Sequence, residues 1–245
     1  QKAEKYFRKA LERLIERNPN PYNSETYYLL GLNLLYQGRD KEAYDAFFKA
    51  TWSNEQQEMS FYYLAAISAR EGKFSRALAH VEKALVKNAH NIKARGLKAY
   101  LLRVLGKTVQ ALAWVEENLA LDPFDFVSCN EKILLEASVR TAGGGGNAKA
   151  LQLEAGKELN AKMRDFQENY LMSARDYAEF GAYREAIAFL QECTKEYPLL
   201  TYYEAYYCNK LGEDVAEILA KAEKMSSDYC FPNKLEDIAV LHFAV

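Results

Sequence analysis

The chain has 245 residues, with 32 Lys and Arg against 34 Asp and Glu, a net charge of −2, four cysteines and three histidines. Whole-chain charge balance leaves no basic excess of the kind nucleic-acid binding needs, and no run of like charge makes a tail. No apolar run reaches the roughly 18 residues that cross a membrane, so a membrane span is excluded; 18 tyrosines are more than a core alone requires.

Residues 2–17 read as an amphipathic helix with Tyr6, Ala10, Leu11 and Leu14 on its apolar side, closing a hairpin whose first helix would precede Gln1. Pro19 and Pro21 stop it, and Ser24 is placed to cap the next helix. In residues 27–50, YYLLGLNLLYQGRDKEAYDAFFKA, Gly38 stands in a turn between two amphipathic stretches. Leu30, Gly31 and Leu34 share a face before it, and Ala43, Phe47 and Ala50 share one after it. A shift of 34 residues (72 − 38) lands on Gly72, with Leu64 and Ala65 before it and Ala77, Val81 and Ala84 after it. The same shift lands on Gly106, flanked by Ala99, Leu102, Ala111 and Val115. Such a period marks an array of helical hairpins. Each hairpin needs small side chains where its backbones approach, and needs neighbours to cover its apolar face.

Beyond Pro123 the rhythm breaks. Residues 126–140 read as a helix, TAGGGGN (141–147) as a stretched turn that is the most mobile internal segment, and 148–163 as a second helix. A phosphate-cradling loop does not fit the glycines, since no strand precedes them and no Lys–Ser/Thr pair follows. A full unit returns at Gly181, with Tyr177 before it and Ala186, Leu190 and Cys193 after it, and a shorter one at Gly212, whose second helix spans residues 213–225. Asn233 is placed to cap a last helix from Lys234 onward, and the chain ends in the apolar residues 239–245.

The glycine, small-residue and aromatic spacing resembles the tetratricopeptide-repeat superfamily. The resemblance implies an all-α fold, a right-handed α-solenoid of antiparallel hairpins. Its frame divides the chain into the end of a preceding repeat (1–21), three regular repeats (22–124), a degenerate repeat with a Gly-rich loop (125–165), two further repeats (166–232) and a truncated helix (233–245). The whole is read as a piece of a longer polypeptide. The stretches ERNPNPYNSETYYLLGLNLLYQGR, FFKATWS, NAHNIKARGLKAYLLRVLGK, LALDPFDF and SDYCFPNKLEDIAVL resemble, more narrowly, a bacterial family in which such an array follows an uncharacterised β-rich, mutarotase-like domain.

In tetratricopeptide arrays the first helix of each hairpin lines the concave surface. The resemblance therefore turns Tyr28, Leu32, Tyr36, Tyr62, Arg70, Tyr100, Arg103, Arg175, Tyr202 and Tyr206 toward a groove. Tyrosine joins an apolar face to a hydroxyl at little entropic cost, and arginine grips carboxylates bidentately. Tyr62, Arg70, Tyr100 and Arg103 form the expected centre; the bland alternative makes many of these rings inter-repeat core. The Lys and Asn clamp with which some members hold acidic chaperone termini is absent, its slots holding Tyr28, Leu32, Tyr62 and Ala66.

Other chemistry has little footing in the sequence. The cysteines (Cys129, Cys193, Cys208 and Cys230) form no CxxC and read as reduced packing residues, with a Cys193–Cys208 bridge as the minority reading. His80, His90 and His242 are scattered, Glu116 and Glu117 lie on a solvated face, and no nucleophile motif appears. The sequence thus points to a non-catalytic protein–protein interaction scaffold without cofactor or metal. It would bind a peptide or partner domain, its own N-terminal domain included, on the concave face. The alternatives are the accessory repeat region of a carbohydrate-active or carbohydrate-binding protein, and a scaffold that self-associates through its array ends.

Overall fold

A computed structural model describes residues 2–16, 18–19, 21–142, 148–228 and 230–244. The expectation for Gly143 to Gly146 therefore lies outside the described residues. Among those residues there are fourteen α-helices, a short 3-10 turn (Asn54–Gln56) and no strand. The helices fall into two compact units, Gln1–Ala111 and Leu112–Val245.

The first unit holds α1 (Lys2–Ile15), α2 (Glu25–Leu35), α3 (Asp40–Ala50), α4 (Gln57–Arg70), α5 (Phe74–Lys87) and α6 (Ile92–Val104). Helix α7 (Thr108–Leu121) spans the boundary. The second unit continues with α8 (Phe126–Ala142), α9 (Ala148–Met163), α10 (Gln167–Glu179), α11 (Tyr183–Gln191), α12 (Pro198–Lys210), α13 (Ala216–Glu223) and α14 (Leu235–Ala244). Within each unit successive helices pair as hairpins: α2 with α3, α4 with α5, α8 with α9, α10 with α11 and α12 with α13.

The expected turns are present. Gly38 has φ +71°, and Gly72, Gly106, Gly181 and Gly212 adopt the same left-handed conformation, which costs an L-residue about 1–2 kcal/mol. The irregular region makes its turn differently. Between α9 and α10, Arg164 and Asp165 take positive φ without glycine. The Asp165 carboxylate there accepts bonds from the Thr194 N–H (2.9 Å) and hydroxyl (2.6 Å).

Packing explains the small residues. Ala43, Ala50, Ala65, Ala77, Ala84 and Ala99 are fully buried. At Gly31 an added Cβ would stand 2.8 Å from the Phe47 ring. Phe47 itself is fully buried. It stacks on Tyr63 of the next hairpin (4.8 Å, 15° between planes) and tilts against Tyr28 (5.9 Å), so it joins one hairpin to the next as its position in the frame demands.

The helix ends depart from expectation. Ser24 precedes α2 but makes no side-chain cap bond. Its hydroxyl instead donates to the Ala50 carbonyl (2.6 Å) and pairs with Ser53 (2.6 Å). It thereby satisfies an orphan carbonyl at the end of α3 and ties that end to the start of α2. Asn91 caps α6 through the Ala94 N–H (3.0 Å), and Asp125 caps α8 through the Ser128 N–H (3.1 Å). Asn233 does not cap α14; Asp237, within its first turn, accepts the N–H groups of Asn233 (2.9 Å) and Lys234 (3.0 Å). The expected helix over residues 213–225 shortens to Ala216–Glu223. All four cysteines are free thiols, Cys129 and Cys208 buried and Cys193 and Cys230 half-buried.

Candidate functional site

The residues expected in the groove divide by burial. On α2, Tyr28, Leu32 and Tyr36 recur at i, i+4 and i+8, so they form one stripe. Tyr28 and Leu32 are half-buried, and Tyr36, at the C-terminal end of the helix, is 67% exposed. On α4, Tyr62 is only 1% exposed, with Ala66 equally closed, and Tyr100 on α6 is 7% exposed. Those two rings are buried and present almost nothing to solvent. The frame shows why the expected centre is uneven: Tyr100 follows Tyr62 by 38 residues (100 − 62) and Arg103 follows Arg70 by 33 (103 − 70), so neither pair keeps the 34-residue spacing.

The arginines have partners inside the chain. Arg70, half-buried, forms an ion pair with Asp40 at the start of α3 (3.1 Å). Arg103 lies over the Tyr100 ring (5.4 Å). Arg175 is gripped on several sides: it pairs with Asp237 and with Glu168 (3.0 Å), its Nε donates to the Tyr203 hydroxyl (3.0 Å), and its guanidinium lies over that ring (5.0 Å). The carboxylate that Arg175 was expected to take from a ligand is supplied here by the chain's own α14. Tyr202 and Tyr206 on α12 are half-buried; Tyr206 meets Phe243 edge-on (5.4 Å) beneath Lys210 (4.9 Å). Beside the α2 stripe, Tyr28, Phe47, Tyr63 and Tyr62 form a continuous aromatic run. The stripe it supports can receive apolar and aromatic side chains along the helix.

Among the described residues no three His, Cys, Asp or Glu side chains gather as a metal site, and no helix is long and apolar enough to cross a membrane. His80 on α5 is buried, its Nε2 2.9 Å from the Tyr44 hydroxyl. Burial, with Lys83 and Arg76 adding positive charge nearby, pushes its pKa from 6.5 down to about 4. The unfolded chain then binds this proton more readily than the folded one. Stability owed to His80 is complete above pH 6.5 and is lost as pH falls toward 4. Urea unfolding of the wild type is expected to lose about 2 kcal/mol more between pH 7 and pH 4.5 than His80→Gln does. Equal losses in the two proteins would show that His80 is not held neutral.

Neither a family model nor a curated protein sequence matches this chain. Solved structures do resemble it. A tetratricopeptide repeat protein from Parabacteroides merdae is 19% identical, the match covering 99% of this chain and 91% of that one, with a TM-score of 0.58. MamA is 16% identical over 64% of this chain and 86% of its own, with a TM-score of 0.52. The Cut9–Hcn1 hetero-tetramer of the APC/C is 14% identical over 99% of this chain and 46% of its own, with a TM-score of 0.51. The fold is the tetratricopeptide-type α-solenoid.

Within that tetratricopeptide fold, one recurring contact escaped the sequence reading. Lys49 Nζ lies over the Tyr27 ring and Lys83 Nζ over the Phe61 ring, each at 5.4 Å. Both pairs span 22 residues (49 − 27 and 83 − 61), and they lie one 34-residue frame apart. The repeat thus reproduces a cation–π contact as well as an apolar face. The third unit puts Arg95 and Glu117 in the same slots. Aligning charged positions in the frame, and not apolar ones alone, would have found the pair.

Proposed function

We propose that the chain is a non-catalytic interaction scaffold whose first unit receives an extended peptide along the first helices of its hairpins, the face that is concave in tetratricopeptide arrays. One observation carries this reading. The Tyr28–Leu32–Tyr36 stripe of α2 is half-buried at its first two positions and opens to solvent at Tyr36, 67% exposed, whereas the corresponding α4 positions, Tyr62 and Ala66, are closed and Arg70 pairs with Asp40. Leu30, Gly31 and Leu34 are buried on the other side of α2 and Tyr28 packs on Phe47, so the mostly exposed Tyr36 ring carries an already packed apolar stripe out to solvent, where a ligand side chain can extend it. Aromatic anchors of this kind commonly hold most of the energy of a peptide interface. The β-rich domain implied by the narrower resemblance is one partner of suitable kind, in the same polypeptide.

Photocrosslinking from position 36 and capture assays test the reading together. Tyr36→Ala and Leu32→Asp, made separately, are expected to weaken capture by about tenfold or more. Melting should hardly change for Tyr36→Ala, because that ring is mostly exposed. A partner that crosslinks elsewhere, and is captured equally by both variants, would place the site off this face.

A further inference from the structure

The second helices of the first unit carry another surface, independent of the α2 stripe. Phe48 on α3 is 50% exposed and Trp52, just past the helix end, 48%. They continue the line begun by Tyr44 at i, i+4 and i+8, and Tyr44 faces α5 through its bond to His80. The facing line on α5 is cationic. Arg76 lies over the Tyr44 ring (4.9 Å), Lys83 over Phe61 (5.4 Å), and Lys87 Nζ bonds Asn54 Oδ1 (3.0 Å), two residues beyond Trp52. Of the nearby acids, Glu71 is engaged by Arg76 (2.7 Å) and Lys73 (2.9 Å), and Glu82 by Lys98 of α6 (3.5 Å). The whole first unit is basic, with 19 Lys and Arg against 11 Asp and Glu, net +8.

We propose that this face docks an acidic amphipathic helix of a partner protein, its apolar side on Phe48 and Trp52 and its carboxylates against Arg76, Lys83 and Lys87. Charge complementarity selects the sign of the partner. Spacing selects its form. The cations stand seven and four residues apart along α5 (83 − 76 and 87 − 83), about 10 and 6 Å along the axis, the intervals of carboxylates at i, i+7 and i+11 on a parallel helix. A single nucleic-acid strand fits less well. It needs a succession of free ring faces for its bases, and Tyr44 and Phe61 already lie beneath cations.

The test uses a fluorescein-labelled helical peptide with leucines on one face and glutamates on the other, a scrambled peptide of the same composition, and an oligothymidylate. Fluorescence anisotropy should show the amphipathic peptide binding more tightly than the scrambled one. Trp52→Ala, and Lys83→Glu combined with Lys87→Glu, should each weaken binding by about tenfold or more. Lys2→Glu with Lys5→Glu, an equal charge change on α1, should leave it within about twofold, and Tyr36→Ala should leave it unchanged, which separates this surface from the α2 stripe. Melting curves establish that each variant is folded, as substitution of half-exposed side chains should allow. The proposal is overturned by absent binding, by indifference to Trp52→Ala, by equal losses in the two charge-reversed pairs, or by oligothymidylate displacing the peptide at the lower concentration.

Discussion

Asp237→Ala is expected to destabilise the second unit by about 3–5 kcal/mol, because it takes from the half-buried Arg175 guanidinium the buried one of its two carboxylate partners and leaves the Tyr203 hydroxyl and two N–H groups without their acceptor. The Asp237 side chain is fully buried. One oxygen accepts two backbone N–H groups at the start of α14; the other accepts the Tyr203 hydroxyl (2.7 Å) and pairs with Arg175. Burial alone would raise its pKa, but the Tyr203 hydroxyl, the two N–H groups and the Arg175 charge outweigh burial and hold it below the ordinary value of 3.8. Its contribution is therefore present above that value and lost as pH falls through the lower folded value. Arg175→Met should cost less than Asp237→Ala, since the carboxylate keeps three hydrogen bonds. Thermal melting orders the two variants, and hydrogen exchange in α12 and α14 locates the damage. Melting of Asp237→Ala close to wild type would remove Asp237 as the tie between α14 and the helices before it.

What the sequence disclosed and what it concealed follow from how each feature repeats. Glycine turns and buried alanines recur at a fixed interval because every hairpin meets the same steric demand, so Gly38, Gly72 and Gly106 and the alanines around them were legible. The candidate face was legible in part. Tyr36 stays exposed and Tyr28 half-buried, but Tyr62 and Tyr100 are closed, because a first-helix position says which side a ring leaves from and not what covers it. Arg175 has the capacity to hold a carboxylate, but the one it holds belongs to Asp237, 62 residues downstream and out of reach of any local pattern. Charge misled in a simpler way. A whole-chain balance of −2 averages a first unit at +8 with a second that holds 13 Lys and Arg against 23 Asp and Glu, net −10. The cationic line on α5 emerges only once the units are counted separately.

Phe47→Ala should cost about 3–5 kcal/mol, the range for removing a fully buried phenylalanine. In a unit of this size that lowers the melting temperature by more than about 10 °C. Gly31→Ala should also destabilise, by about 1–3 kcal/mol, for the opposite reason: the added methyl overpacks a site that has no room for it. An ordinary helical Gly→Ala change gains about 1 kcal/mol, so a loss here isolates the steric conflict with the Phe47 ring, 2.8 Å from the built Cβ. Pairing Gly31→Ala with Phe47→Leu separates the two causes. A shorter side chain at position 47 makes room for the methyl, so the double variant should be more stable than the two single losses predict when added. Simple additivity would mean that the ring and the glycine do not press on each other. The contact that joins α2 to α3 would then have to be sought at Ala43 and Ala50, where alanines, and no glycine, let the helices approach.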